Sequence, residues 1–464
     1  MLVDPGLLEA TLTTALAGGG DFAEVFVEDR RSSSARLDDG RIEELVSGRE
    51  RGAGVRVVRG ETTGFAHTSD LGPAGLADAA RAAASAAAAS ATGTTRQVAL
   101  GGPGREATPD VVVLPESVPK ATKIEMLKRA DDAARSEGGA IRSVSAGYAE
   151  GRRRILVANS DGLIASDDRI RTRFSVQAVA SGDAGMQTGY DAPGRTMGFE
   201  FYDEFAVDEI ARRAARQAIT LLDSVPAPSG KVPVVLKRGA GGVLFHEACG
   251  HGLEADLVER DASVFAGKVG ERVAAAGVTL IDDGTFAREW GTFGIDDEGQ
   301  PARSNTLIDD GILTDYMWDL VRARKAGRVS SGNGRRETYQ ELPMVRMTNT
   351  YLAAGDTDPE AIIADTDFGV YCVQLGGGQV NTATGDFVFG VTEGYLIEGG
   401  KITRPIRAAQ LIGNGPAALR DIDAIGNDFA TWTGMCGKSG QSVPVSSGQP
   451  TLRVGGLTIG GTAA

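Results

Sequence analysis

Apolar positions in this chain recur with two spacings, and the change from one to the other marks out its elements. A helical spacing puts Leu7, Leu8, Leu12 and Leu16 on one stripe, which Gly18, Gly19 and Gly20 terminate. The same spacing predicts an alanine-rich helix over residues 76–91 and another over 120–136, with Ile124, Leu127, Ala130 and Ala134 inward. A third is expected over 209–222, with Ile210, Ala214, Ala218 and Leu221 inward and Asp208 as its cap. Strict alternation instead predicts strands at 23–28, 32–36 and 41–47, turning at Asp38, Asp39 and Gly40, and a hairpin from 52–58 into 62–68. Further strands are predicted at 141–150, 152–158 and 163–181, with a turn over 159–162.

The run Ser224-Val225-Pro226-Ala227-Pro228-Ser229-Gly230 is the clearest linker. The expected organisation is therefore α+β with two domains. Residues 1–225 form an N-terminal α/β domain with a largely antiparallel sheet. Residues 226–464 form a β-rich C-terminal domain that opens with a strand at 232–236 and a helix over 242–253. Strands follow at 278–282, 306–308, 312–318, 369–375, 385–390, 392–398 and 401–406, with short helices at 320–327 and 359–364. A glycine-rich loop is expected over 434–440, and two strands around Pro450 close the chain. Sixty-four glycines fit a fold with many turns and bulges.

Composition narrows the function. Hydrophobic content of 42% and charged content of 24% are those of a globular protein. A net charge of −14 argues against a nucleic-acid binder with a basic surface. No apolar run approaches the ~18 residues of a membrane-spanning helix, and the N-terminal stretch lacks the basic flank of a signal peptide. Three cysteines give no disulfide framework and suit a cytoplasmic location.

Two of the three histidines, His246 and His251, lie five positions apart, and Glu247 directly follows the first. Imidazoles with a neighbouring carboxylate are the groups a catalytic metal site requires. On a regular α-helix, positions five apart differ by roughly 140°, so a shared ion demands a distortion. Either a π-turn or unwinding at Gly250 and Gly252 would supply it. The competing interpretation is two unrelated histidines near a helix end, with Glu247 solvated. His67, alone on a predicted strand, is left out of the site. For a third ligand, Glu254 and Asp256 follow the second histidine closely, and Cys436 sits beside Lys438, which would favour its thiolate. Cys249 cannot easily reach an ion shared by its flanking histidines, and Cys372 belongs to an apolar strand. Spacing alone leaves Cys436 and Glu254 equal.

The segment from His246 to His251 resembles the motif of the TldD/PmbA family. So do Gly332-Asn333-Gly334-Arg335-Arg336-Glu337, Arg346-Met347-Thr348-Asn349-Thr350, Gly385-Asp386-Phe387, and Cys436-Gly437-Lys438 with Gly440-Gln441. Gly54-Val55-Arg56-Val57 and Thr63-Gly64-Phe65-Ala66 extend the likeness to the N-terminal half. The resemblance is to the TldD type, which carries the HExxxH segment that PmbA (TldE) types lack. It implies a zinc-dependent peptidase acting on short or unfolded peptides through a metal-activated water. His246, His251 and Cys436 would be the ligands and Glu247 the general base. It further implies a heterodimer with a PmbA/TldE-type subunit, or else a homodimer, and a substrate entering as an extended strand through a restricted tunnel. The alternatives are a regulatory protein with a structural zinc and a metal-dependent amidase. Arg335, Arg336 and Arg346 could hold a substrate carboxylate, but solvated arginines or structural ion pairs are the expected reading.

Overall fold

The computed structural model describes residues 2–87, 96–101, 104–183, 185–239 and 242–461. Its first half is built on an eight-stranded sheet. Four long strands, Phe22–Asp38, Arg41–Arg59, Ile141–Asn159 and Ile164–Gly182, form its antiparallel centre. The first three are longer than alternation predicts, because the charged breaks between expected strands are paired across the sheet, and Ile164–Gly182 matches the single long strand expected over 163–181. Asp29 Oδ2, for example, accepts from Arg49 Nη2 and from Arg154 Nη2, each at 2.7 Å. The turn at Asp39 and Gly40 has φ of 46° and 80°, the left-handed pair that matches a right-twisted hairpin.

Two helix pairs cover one face of this sheet. Pro5–Ala15 and Pro73–Ala87 pack on Val25, Val27, Val55 and Val57. Lys120–Ser136 and Val207–Thr220 pack on Ala35, Leu37, Tyr148 and Phe174. Residues 88–91, the expected end of the alanine-rich helix, lie outside the described residues. Asp208 does not cap its helix: Val207–Thr220 starts two residues earlier than expected, at an Ala206 cap, and Asp208 pairs with Arg129 instead.

The opposite face meets the second half of the chain through a buried charged layer. Glu24 accepts from Arg56 at 2.9 Å and from Arg336 at 2.5 Å, while Arg56 also reaches Glu298 at 2.7 Å. Asp297 lies between Arg153 and Arg169, and burial is outweighed by their charges, holding its pKa below the carboxylate range. Gly52 is required here. A Cβ at that position would stand 2.2 Å from the Tyr339 ring.

The second half contains an eight-stranded and a six-stranded sheet. One apolar core joins them, running from Val234 and Leu236 through Phe245 and Leu253 to Val443 and Val445. The histidine segment is held within this core. Part of the expected linker is itself paired, Val225–Pro226 running parallel to Ile406 and Arg407.

Candidate metal centre

The expected helix over 242–253 is three kinds of helix in succession. Gly242–Phe245 is α-helical, His246–Gly250 is a π-turn, and His251–Leu253 is 3-10. The His251 N–H bonds to the His246 carbonyl, the i to i+5 closure that inserts one extra residue. That residue rotates His251 back over His246, and the ring centroids stand 5.2 Å apart. Gly250 does not act by unwinding: its φ of −54° is helical. It provides space, since a Cβ there would stand 2.1 Å from Met347 Sδ.

Cys436 arrives from the other side of the core. Residues 434–440 are not a loop. Ala430–Lys438 is a strand paired with Gln441–Gln449, and only Ser439 and Gly440, with φ of 51° and 81°, make the turn. Arg346, fully buried, donates to the Cys436 carbonyl at 2.5 Å and fixes the strand's height. Cys436 Sγ then lies 3.4 Å from His251 Nε2. Donor atoms of His246, His251 and Cys436 all fall within 4.8 Å of one another, and all three residues are buried. Lys438 does not serve the thiolate as expected. Its Nζ donates to Glu254 at 2.9 Å and to Asp256 at 2.7 Å.

Electrostatics favour the deprotonated sulfur all the same. Burial opposes the thiolate, but the charge and hydrogen bonding of His246 and His251 hold the Cys436 pKa well below its usual value. Glu254 lies behind His251 rather than in the donor cluster, accepting from Nδ1 at 2.9 Å. Burial works against its charge, yet His251 and Lys438 bring its pKa down to about 2. The same contact counters the burial penalty on His251 and raises that pKa well above the histidine range. A carboxylate on Nδ1 leaves Nε2 free to ligate, the usual support of a metal-bound imidazole. His246 Nδ1 is buried with no hydrogen-bond partner among the described residues. Two imidazoles, one of them with an orphaned ring nitrogen, and a thiolate suit a borderline-soft divalent ion such as zinc.

Glu247 is the open member. Its carboxylate is 3.7 Å from His251 Nε2, its side chain is 27% exposed, and it lines a cleft of about 410 Å³ with Asp256, Arg260 and Gln379. His67 is exposed against Phe65 and Tyr339, Cys372 is core, and Cys249 is buried outside the cluster, its thiol pushed up by burial. Arg335, Arg336 and Arg346 are not solvated: each is buried, and among the described residues only Arg336 of the three meets a carboxylate directly. The spacing did not point to Arg346 as a support for Cys436, because its partner is a backbone carbonyl 90 residues away.

Models of three PmbA/TldA metallopeptidase domains match the chain in order: domain 1 over residues 23–87, the central domain over 114–222 and the C-terminal domain over 229–461. The chain belongs to the PmbA/TldA metallopeptidase family. Within it, the chain is 40% identical to a metalloprotease TldD homolog of Haemophilus influenzae, over 95% of this chain and 93% of that one. It is 36% identical to a metalloprotease of Methanothermobacter thermautotrophicus, over 95% and 96%. Two solved structures share the fold. One is a Thermotoga maritima protein described as a candidate modulator of a DNA gyrase (TM-score 0.82, 23% identity, 98% of this chain and 99% of that one). The other is TldE of Thermococcus kodakarensis (TM-score 0.77, 21% identity, 98% and 100%). On the shared N-terminal sheet, one helix-covered core is drawn mostly from residues up to 87 and the other mostly from the central-domain segment, and each includes residues of the other segment.

Proposed function

We propose that this PmbA/TldA-family protein is a zinc-dependent peptidase of the TldD type, hydrolysing short or unfolded peptides at the cluster of His246, His251 and Cys436. The observation that carries the reading is the buried His-His-Cys donor set with one carboxylate, Glu247, left facing an open cleft. Those three side chains would hold the ion. When bound, zinc supplies Lewis acidity, polarising a carbonyl and making water acidic enough to attack near neutral pH. Glu247 accepts the proton from the attacking water on a carboxylate oxygen and returns it to the leaving amine, a role worth roughly 10²–10⁴-fold. Glu254 orients His251 and Arg346 orients Cys436, so neither ligand has to move on loading. Three protein ligands and an accessible carboxylate favour a catalytic site over a closed four-coordinate structural one.

Ala430–Lys438 is the terminal strand of its sheet, so its outer edge offers backbone groups to an extended peptide. Such pairing binds chains with little sequence preference, which suits short or unfolded substrates. The relationship to TldE-type structures supports a partner subunit of that kind, with a homodimer as the other arrangement. No helix among the described residues is long and apolar enough to cross a membrane. The deciding experiment is Glu247→Ala. Zinc content by elemental analysis stays at the wild-type level and cleavage of an unfolded peptide panel disappears; a variant that still cleaves defeats the assignment. Small amides in the same panel separate a peptidase from an amidase.

A further inference from the structure

Behind the hairpin that carries Cys436, the helix-free face of the N-terminal sheet forms the floor of a cavity of about 350 Å³. Register places three rows of side chains across that floor. Arg30, Arg153 and Arg169 align in one, Ser32, Gly151 and Arg171 in the next, and Ser34, Ala149 and Arg173 in the third. Small residues thus form the middle of a trough and arginines one wall. The opposite wall includes Met435 and Pro444.

Not all these arginines are accounted for by the fold. Arg153 and Arg169 are held by Glu28, Asp167 and Asp297. Arg30, Arg171 and Arg173 meet no carboxylate among the described residues. Arg171 is more than nine-tenths buried and, among the described residues, donates only to the carbonyls of Trp290 and Thr292, through Nε and Nη2, with none of them partnering Nη1. Arg173 donates to the Tyr190 hydroxyl, and its Nε is buried with no partner among the described residues. Burial and the neighbouring Arg169, Arg335 and Arg153 make the positive charge of Arg171 costly. A guanidinium remains protonated, so that cost acts as an attraction for an anion. In a chain of net charge −14, this is a local positive excess.

The strand geometry says what kind of anion. Cys436 faces the histidines, so its neighbour Met435, half exposed, faces the trough. A peptide strand added along the edge of Ala430–Lys438 would alternate in the same way. The side chain beside Cys436 would face the donor cluster, and the side chain beside Met435 would face the arginines. We infer that the Arg30, Arg171 and Arg173 trough is an acidic-residue subsite, selecting extended peptides that carry Asp or Glu next to the residue at the cluster.

This inference rests on the peptidase reading, and the test separates the two. Paired labelled peptides, blocked at both ends and differing by one Glu→Gln change, are compared by equilibrium anisotropy, with hydrolysis followed separately. The acidic peptide is expected to bind about tenfold tighter, the scale of one charge-assisted contact. Arg173→Gln and the exposed Arg30→Gln should each reduce that ratio toward one; buried Arg171 is left intact so that folding is not in question. Equal binding of the pair by the wild type, or an unchanged ratio in both variants, overturns the subsite even if both peptides are cleaved. A preserved preference without cleavage supports the subsite and removes the peptidase. Inorganic phosphate that displaces both peptides equally overturns the assignment to a peptide carboxylate.

Discussion

Glu254→Gln distinguishes support of a ligand from ligation. The side chain is fully buried and spans His251 Nδ1 and Lys438 Nζ, both at 2.9 Å. Moving its pKa from the ordinary 4.5 to about 2 corresponds to about 3 kcal/mol favouring the charged form. After substitution Lys438 keeps Asp256 and the Val345 carbonyl, so the loss falls on both partners. If His251 carries half of it, about 1.5 kcal/mol, zinc affinity falls about tenfold, the lower end of what removal of such supporting contacts costs. Glutamine keeps the volume and one acceptor oxygen, so the fold is retained. The assay is competition for zinc against a chromophoric chelator, with stoichiometry measured at saturation. Full occupancy with affinity reduced by about ten- to a hundredfold is the expected result. Affinity within twofold of wild type would refute the supporting role, and failure to load at any zinc concentration would make Glu254 a ligand.

Cys436→Ser should reduce bound zinc below one per chain, as elemental analysis would show; full stoichiometric zinc would remove the sulfur from the ligand set. In chelator-treated protein, the Glu254 contribution to stability is fully present above about pH 4.5 and is lost as pH falls toward about 2, because its folded pKa lies below the unfolded one. His251 contributes in the opposite sense. Its folded pKa is raised, so its contribution is present below about pH 6.5 and is lost as pH rises through the folded value. Urea midpoints across pH should therefore show a maximum for the metal-free protein, with the acid limb flattened in Glu254→Gln. Gly250→Ala would gain about 1 kcal/mol of helix propensity on an open helix, but here its Cβ meets Met347 Sδ at 2.1 Å. Overpacking of about 1–3 kcal/mol should outweigh that gain and lower the urea midpoint, together with zinc retention. A stabilised Gly250→Ala would show that the π-turn tolerates a side chain.

The site was legible where chemistry and chain spacing coincide. Two histidines five positions apart cannot share one ion on a straight helix, so a distortion between them followed from spacing, and the structure makes it a π-turn rather than unwinding at Gly250. Elements with their own periodicity were equally plain, and the helix expected over 120–136 is Lys120–Ser136. What misled was glycine. Gly434, Gly437 and Gly440 suggested a loop, whereas pairing with Gln441–Gln449 makes nearly all of that segment strand. A hydrogen-bonding partner outside the segment decided the matter, and no local propensity reports it.

The amino-acid order alone therefore determined the donor types, the need for a backbone distortion between the histidines, and the alternation of helix-covered and β-rich regions, because these depend on residues a few positions apart. Only the tertiary structure decided that Cys436 completes the cluster and that Glu254 stands behind His251. It alone showed that Arg336 is buried on Glu24, 312 residues away. Those choices depend on which buried charge finds which partner, and desolvation leaves a guanidinium or carboxylate stable inside the protein only where the fold delivers one.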